Sequence, residues 1–290
     1  MWWLLFACNV GADTPDPTKS GDSVNAEDSV WLREAYPFLP SDVHKVISLE
    51  EQFAVPEGYT RVQVESGSFG AWLRNLPIKT DTTSVYAYNG QRIYAPSVGV
   101  VPLDLGRGDV QQCADSILRL YAEYRWNRGD ADQLGFHFTS GDLSTWKAWR
   151  KGERFSIKGS TVRRVKRSPV ANKHSEFRKW LQHTFLYAGT RSLRLDASKV
   201  TVTDRIVPGD FFVTPGSPGH AIIVLEVAHS TTGPPLALLG QGFMPAQEFH
   251  VLKSSTSGGP WFILPQSADE VLQNPSWSPI PRSSVLRFTK

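Results

Sequence analysis

The chain contains two cysteines and seven histidines, and one pairing among them could do covalent chemistry. Cys113 follows Gln111-Gln112 near the head of the segment Asp109 to Trp126, whose apolar residues recur at helical spacing. A thiol there meets free backbone N–H groups and the positive end of the helix dipole, both of which favour its thiolate. A nucleophilic cysteine needs that help, because an unperturbed thiol is mostly protonated at neutral pH. His220 stands in Pro218-Gly219-His220-Ala221, at the head of an apolar run that reaches Leu225. Little bulk flanks it, so its imidazole can face a cleft and act as a base. Gln241, in Leu239-Gly240-Gln241-Gly242, is the polar residue of the next apolar run. If the two runs pair through Gly233-Pro234, Gln241 falls beside His220. Its side-chain carbonyl can then accept from the ring N–H and orient the base. The backbone N–H of Cys113 and the side chain of Gln112 are candidate oxyanion donors. Each residue also has a plainer reading: a buried core cysteine, a turn histidine, an edge-strand glutamine bonded to backbone, a solvent-facing first-turn residue.

Other chemistries find less support. No His-Glu-x-x-His motif and no cysteine cluster occurs, and His250 and Glu248 lack metal spacing, so neither a metal nor a cofactor is expected. There is no phosphate-binding glycine loop and no dinucleotide fingerprint. Ser217 precedes Pro218 rather than sitting in a Gly-x-Ser-x-Gly elbow. A net charge of +3 gives no case for nucleic acid, and the run Arg163, Arg164, Lys166, Arg167 reads as a solvated edge.

The elements that must hold these residues are legible in outline. Asp109 is the expected N-cap of the central helix, which ends at Asn127 to Gly129. Ser41 to Phe53, Ser68 to Asn75 and Ser175 to Tyr187 are predicted helices, the last burying Phe177, Trp180, Leu181 and Phe185. Asn89-Gly90 marks a hairpin between Val85–Tyr88 and Arg92–Tyr94. Tyr59–Val64, Phe136–Phe138 and Thr161–Val165 read as strands, and so, further on, do Phe211–Val213, Ala221–Ala228, Leu236–Gln241 and His250–Lys253. Short links between the later strands imply an antiparallel sheet, and helices before such a sheet imply an α+β domain.

The N-terminus carries a different message. Leu5-Phe6-Ala7-Cys8 after an apolar start resembles a bacterial lipobox, in which the cysteine is lipidated. Residues 1–8 are therefore expected to be a lipoprotein-type signal, and Cys8 the lipidation site. Residues 9–40 are expected to be a flexible tether, because 9–30 is rich in Asp, Thr, Ser, Pro and Gly. Residues 41–290 are expected to form one domain.

The order helix-Cys113, Pro208-Gly209-Asp210 before a strand, Gly219-His220-Ala221 before a strand, and Gln241 on the next strand resembles the NlpC-like and CHAP-like papain-fold amidases. That resemblance implies a papain-like fold with a nucleophile helix packed on the sheet, and residues 127–205 as an insertion. It implies Cys113 as nucleophile, His220 as base, Gln241 as orienting group, and a peptide or peptidoglycan-like amide as substrate. The nucleophile context departs from the amidase pattern, reading Gln112-Cys113-Ala114-Asp115. Five stretches look more closely like a family of bacterial exported proteins, the domain of unknown function 4846. They are Ser68-Phe69-Gly70-Ala71-Trp72-Leu73-Arg74-Asn75-Leu76-Pro77, Gln111 to Asp115, Tyr187-Ala188-Gly189-Thr190, Ser217 to Ala221, and Met244-Pro245-Ala246-Gln247-Glu248. The expected protein is an exported, membrane-anchored cysteine amidase or peptidase. A catalytically silent papain-like lipoprotein that binds peptidoglycan or a protein partner, and a purely structural lipoprotein, stand as alternatives.

Overall fold

The computed structural model describes residues 26–159 and 161–289. Cys8 and the tether up to residue 25 lie outside the described residues. Ordered chain begins earlier than the composition implies. A helix α1 (Ala26–Ala35) leads into Tyr36, Phe38 and Leu39, which with Leu32 are buried in the main core. The Tyr36 hydroxyl donates to the carbonyl of Trp72 at 2.8 Å. Residues 26–40, expected as tether, are therefore docked on the domain. Each of those side chains gains about 1.5–3 kcal/mol by leaving water, which outweighs the polar composition of the preceding stretch.

The framework is an antiparallel sheet of nine strands. In chain order these are β1 (Thr60–Arg61), β2 (Ser97–Val100), β3 (Ala197–Lys199), β4 (Phe211–Thr214), β5 (His220–His229), β6 (Leu236–Gln241), β7 (His250–Leu252), β8 (Trp261–Ile263) and β9 (Val285–Phe288). The spatial order is β3-β9-β4-β5-β6-β7-β2, with β8 on β6 and β1 on β5. The central strand β5 is buried on both faces, which is why it reads as an unbroken apolar run. Ala221, Ile223 and Leu225 face one core cluster, and Ile222 and Val224 face a second, as the two-residue period of a strand requires.

The first of those faces is covered by helices. A short helix α2 (Phe69–Arg74) lies within the predicted Ser68–Asn75 segment, with Ser68 as its N-cap. The long helix α3 (Cys113–Asn127) packs on β5, and α4 (His174–Phe185) packs on α3 through the predicted face Phe177, Trp180, Leu181 and Phe185. The segment 127–205 is not an appendage. Trp146, Phe177 and Trp180 share one core with Ile117 and Leu120, and the segment supplies β3 to the sheet.

Two predicted helix starts are displaced. Ser41–Phe53 is not one helix: Val46–Ser48 is a strand, and Ser48 caps the turn Leu49–Gln52 through a reciprocal box with Glu51. The pattern Ser48-x-x-Glu51 satisfies two end groups at once, where Ser41 would satisfy one. The central helix starts at Cys113, with Gln112 rather than Asp109 as N-cap. The chain before it turns tightly, Val110 N–H to the Gly108 carbonyl and Gln112 N–H to the Val110 carbonyl. The carboxyl group that reaches back to the Gln112 N–H belongs to Asp115, at 3.1 Å.

Candidate active site

The shifted start of α3 makes Cys113 its first residue, where the backbone N–H groups have no intrahelical carbonyl. A buried ion network anchors this end of the helix. Arg119 binds Glu123 at 2.6 Å, the Gln111 side chain at 3.0 Å and the Asp104 carboxylate at 2.7 Å. Glu123 also meets His174 at 2.7 Å. Burial raises the Glu123 pKa, yet Arg119 and His174 together hold it below the ordinary glutamate range. The loop that delivers Cys113 is thus tied to α3 and, through His174, to α4. Asp109, displaced from its expected capping role, accepts from the Ala246 N–H at 2.6 Å and the Gln112 side-chain amide at 3.0 Å. It therefore joins the helix start to the loop after β6.

That loop approaches closely because Gly242 permits it. A Cβ at Gly242 would lie 2.3 Å from Ser116 Oγ and 3.1 Å from the Gln112 carbonyl. The sulfur of Cys113 lies 3.9 Å from the Gly219 carbonyl oxygen, and the Ala221 N–H is directed at it. Helix and strand therefore place the thiol against the backbone on both sides of His220.

The His220 ring itself shares the strand face of Ile222 and Val224. It is fully buried, with ring centroids of Phe243 and Trp277 at 5.0 and 5.1 Å. Its Nε2 is 2.8 Å from Gln241 Oε1. The strands β5 and β6 pair antiparallel with Ile223 opposite Gly240, so Gln241 comes diagonally next to His220. The Nδ1 of His220 is buried and makes no hydrogen bond, and Cys113 bonds the Gly219 carbonyl rather than the ring. The structure thus joins His220 to Gln241 directly but does not join the ring to the Cys113 thiol: the thiol meets the backbone of Gly219 and Ala221, and His220, on the Ile222–Val224 face of β5, does not line the cleft above it.

Above the thiol is a cleft of about 290 Å³, lined by Gln112, Cys113, Asp115, Leu186, Thr190 and Met244 among others. Leu186 and Thr190 come from the 127–205 segment, which therefore forms one wall. Gln112 is half-buried at the rim, with one amide hydrogen engaged by Asp109. Cys113 is 4% exposed. Burial pushes its thiol up to about 11, and the Asp115 carboxyl adds to this, against the lowering by the N–H groups of Ala221, Ala114 and Cys113 itself. Burial also pushes the Asp115 carboxyl up to about 8. Burial lowers His220 to about 4 although Gln241 supports its charged form. At neutral pH the resting pair is a thiol and a neutral imidazole. Among the described residues no group of three His, Cys, Asp or Glu side chains is arranged to hold a metal ion.

A family model described as a domain of unknown function (4846) matches residues 49–286. The chain belongs to that family. No curated protein and no solved structure matches it. The family match spans every site residue named above, from Gln112 to Trp277, and assigns no activity to any of them.

Several residues around the site had no functional signal in the sequence reading. His250 was set aside for want of metal spacing, yet it is the register partner of Gln241 on β7. Extending the strand pairing by one more hairpin would have found it. Asp115 was legible as an N3 carboxylate once Gln112 is taken as N-cap. Trp277 and Ser276 arrive from the C-terminal loops, and no spacing rule places them there.

Proposed function

We propose that this protein is a papain-like cysteine hydrolase of the cell envelope that cleaves an amide or peptide bond. The observation that supports this best is the His220 side chain, with Nε2 held by Gln241 and Nδ1 bare, on a strand whose backbone touches the Cys113 sulfur on either side. An amide oxygen only accepts, so Nε2 carries the ring hydrogen and Nδ1 presents a lone pair. In the proposed reaction the Cys113 thiol turns from the Gly219 carbonyl and attacks the substrate carbonyl carbon. For its proton to pass to Nδ1 as the carbon–sulfur bond forms, the His220 ring has to turn from the Ile222–Val224 face of β5 towards the cleft, which it does not line at rest. The N–H groups at the start of α3, with Gln112, receive the oxyanion. The imidazolium then protonates the leaving amine as the carbon–nitrogen bond breaks. Water hydrolyses the thioester with His220 as base, releasing the acid and restoring the thiol. Because both groups rest neutral, proton transfer accompanies attack rather than preceding it.

The setting follows from the sequence: the Leu5-Phe6-Ala7-Cys8 motif supports export and lipid anchoring, and peptidoglycan stem peptides fit that setting as substrate. One observation favours a second reading. A thiol 4% exposed and bonded to a backbone carbonyl suits a silent papain-like protein that binds peptidoglycan or a protein partner through the same cleft. The two separate cleanly on incubation with stem peptides and muropeptide mixtures, followed by mass spectrometry. Cleavage that is lost in both Cys113→Ala and His220→Ala, with an acyl adduct on Cys113, supports the hydrolase. Binding without cleavage, equal in the native protein and Cys113→Ala, replaces it with the binding module.

A further inference from the structure

His250 touches nothing in the cleft, but it is positioned to decide which nitrogen of His220 is bare. Its Nδ1 lies 3.0 Å from the Glu248 carbonyl oxygen. A carbonyl has only lone pairs to offer, so Nδ1 must carry a hydrogen. The ring is fully buried and burial keeps it neutral, its pKa lowered to about 4, so its Nε2 is an unprotonated acceptor. That nitrogen faces the Gln241 side chain at 3.5 Å, and the same end of the amide lies 3.2 Å from Ser276 Oγ.

The contact is long for a hydrogen bond, but its sign is what counts. With the amide NH₂ towards His250, a donor faces a lone pair. With the amide reversed, an oxygen would face that lone pair, and an NH₂ would face His220 Nε2. Which way a buried amide points is settled by such networks. Reversing the amide in this buried site leaves His250 Nε2 facing an oxygen and unpaired, whereas the Ser276 hydroxyl can serve either end of the amide, as acceptor or as donor. The arrangement with Oε1 on His220 is therefore selected, Nε2 of His220 is the protonated nitrogen, and Nδ1 is left bare.

We propose that His250 is a positioning residue that fixes the tautomer of His220 through the side chain of Gln241, with the Glu248 carbonyl as the fixed end of the relay. The proposal deepens the cysteine-hydrolase reading and takes its functional meaning from it, but the tautomer exists whether or not the protein cleaves anything.

The test is long-range ¹H–¹⁵N correlation of the histidine ring nitrogens in the full chain, at pH 7, in the native protein, His250→Phe and His250→Gln. In the native protein His220 is expected as the Nε2–H tautomer and His250 as the Nδ1–H tautomer. His250→Phe removes the acceptor, and His220 is expected to shift to a mixture of both tautomers. His250→Gln offers an amide oxygen in its place and is expected to restore the native pattern. A native His220 protonated at Nδ1, a native His250 protonated at Nε2, or an unshifted His220 in a folded His250→Phe would overturn the relay. The native spectrum alone decides if a variant does not fold. Repeating the measurement in Cys113→Ala keeps the two questions apart. The relay stands or falls on that spectrum, whereas the hydrolase reading stands or falls on the cleavage assay.

Discussion

Asp115 gives the sharpest quantitative handle on this site. Its carboxyl is buried in the first turn of α3; one oxygen accepts from Gln112 N–H and the other has no partner. Burial raises its pKa from the ordinary aspartate value of 3.8 to about 8. A carboxyl whose pKa is higher folded than unfolded binds more protons in the folded state between those two values. Its contribution to stability is fully present below the unfolded pKa and is lost as pH rises towards the folded one. The buried histidines act the other way. His220 and His250 are lowered from 6.5 to about 4, so they raise stability as pH climbs towards 6.5 and are flat above it. From pH 6.5 to 8, then, Asp115 titrates with those histidines silent. At about 1.4 kcal/mol per pH unit for one proton, unfolding free energy should fall by about 2 kcal/mol across that window. Asp115→Asn removes the titration while keeping an acceptor for the Gln112 N–H, and its profile should be level there. The assay is urea unfolding followed by tryptophan fluorescence at half-unit steps of pH. A native profile that is level from 6.5 to 8, or an Asp115→Asn profile with the native slope, would refute the assignment of a protonated carboxyl beside the thiol.

Other outcomes follow from the same geometry. Gln241→Leu strands the His220 Nε2–H in a buried site and should cost about 1–3 kcal/mol in urea unfolding, with any cleavage activity lost as well. Gly242→Ala places a methyl 2.3 Å from Ser116 Oγ. It should cost about 1–3 kcal/mol, and unchanged stability would mean that the β6 loop and α3 are not in close contact. Acidification from pH 6.5 to 4.5 should destabilise the protein as the unfolded-state histidines take up protons, and His250→Gln should shallow that limb. In a bacterial host, metabolic labelling with a fatty-acid analogue should be lost in Cys8→Ser; labelling that persists would remove Cys8 as the anchor.

How much of this was legible beforehand depended on how local the signal was. Apolar periodicity placed α3 and α4 and the strands β4 to β7, because those segments bury one stripe or two whole faces and their composition says so. Capping was misjudged wherever two candidates competed. Asp109 and Ser41 are both good N-caps in isolation, but the chain chose the starts at which a side chain three residues on could reach back, Asp115 to Gln112 and Glu51 to Ser48. The expected tether boundary at residue 40 overran the polar stretch, which ends at Val30: Leu32, Tyr36, Phe38 and Leu39 lie beyond it and are buried in the main core. The thiol's surroundings were the least legible part. A helix start argues for a lowered thiol pKa, and the N–H groups of Cys113 and Ala114 do lower it, but burial of the thiol outweighs them. Helix dipoles can be read from sequence, whereas desolvation depends on everything that packs above a residue.

That balance has a consequence for reactivity. The Cys113 sulfur is stabilised as an anion by three backbone N–H groups and opposed by burial and by Asp115, so anything that admits a polar partner to the cleft tips it towards thiolate. On the proposed mechanism, a substrate carbonyl entering beside the start of α3 draws the sulfur off the Gly219 carbonyl that it meets at rest. Alkylation by iodoacetamide should therefore be slower at pH 7.5 than for a free cysteine and should rise steeply only towards pH 10. Asp115→Asn, which removes the opposing charge, should move that rise to lower pH, and His220→Ala should not. If native Cys113 is alkylated at pH 7.5 as fast as a free thiol, the enclosure described for this site is wrong, and the nucleophile would be an ion pair formed before substrate arrives.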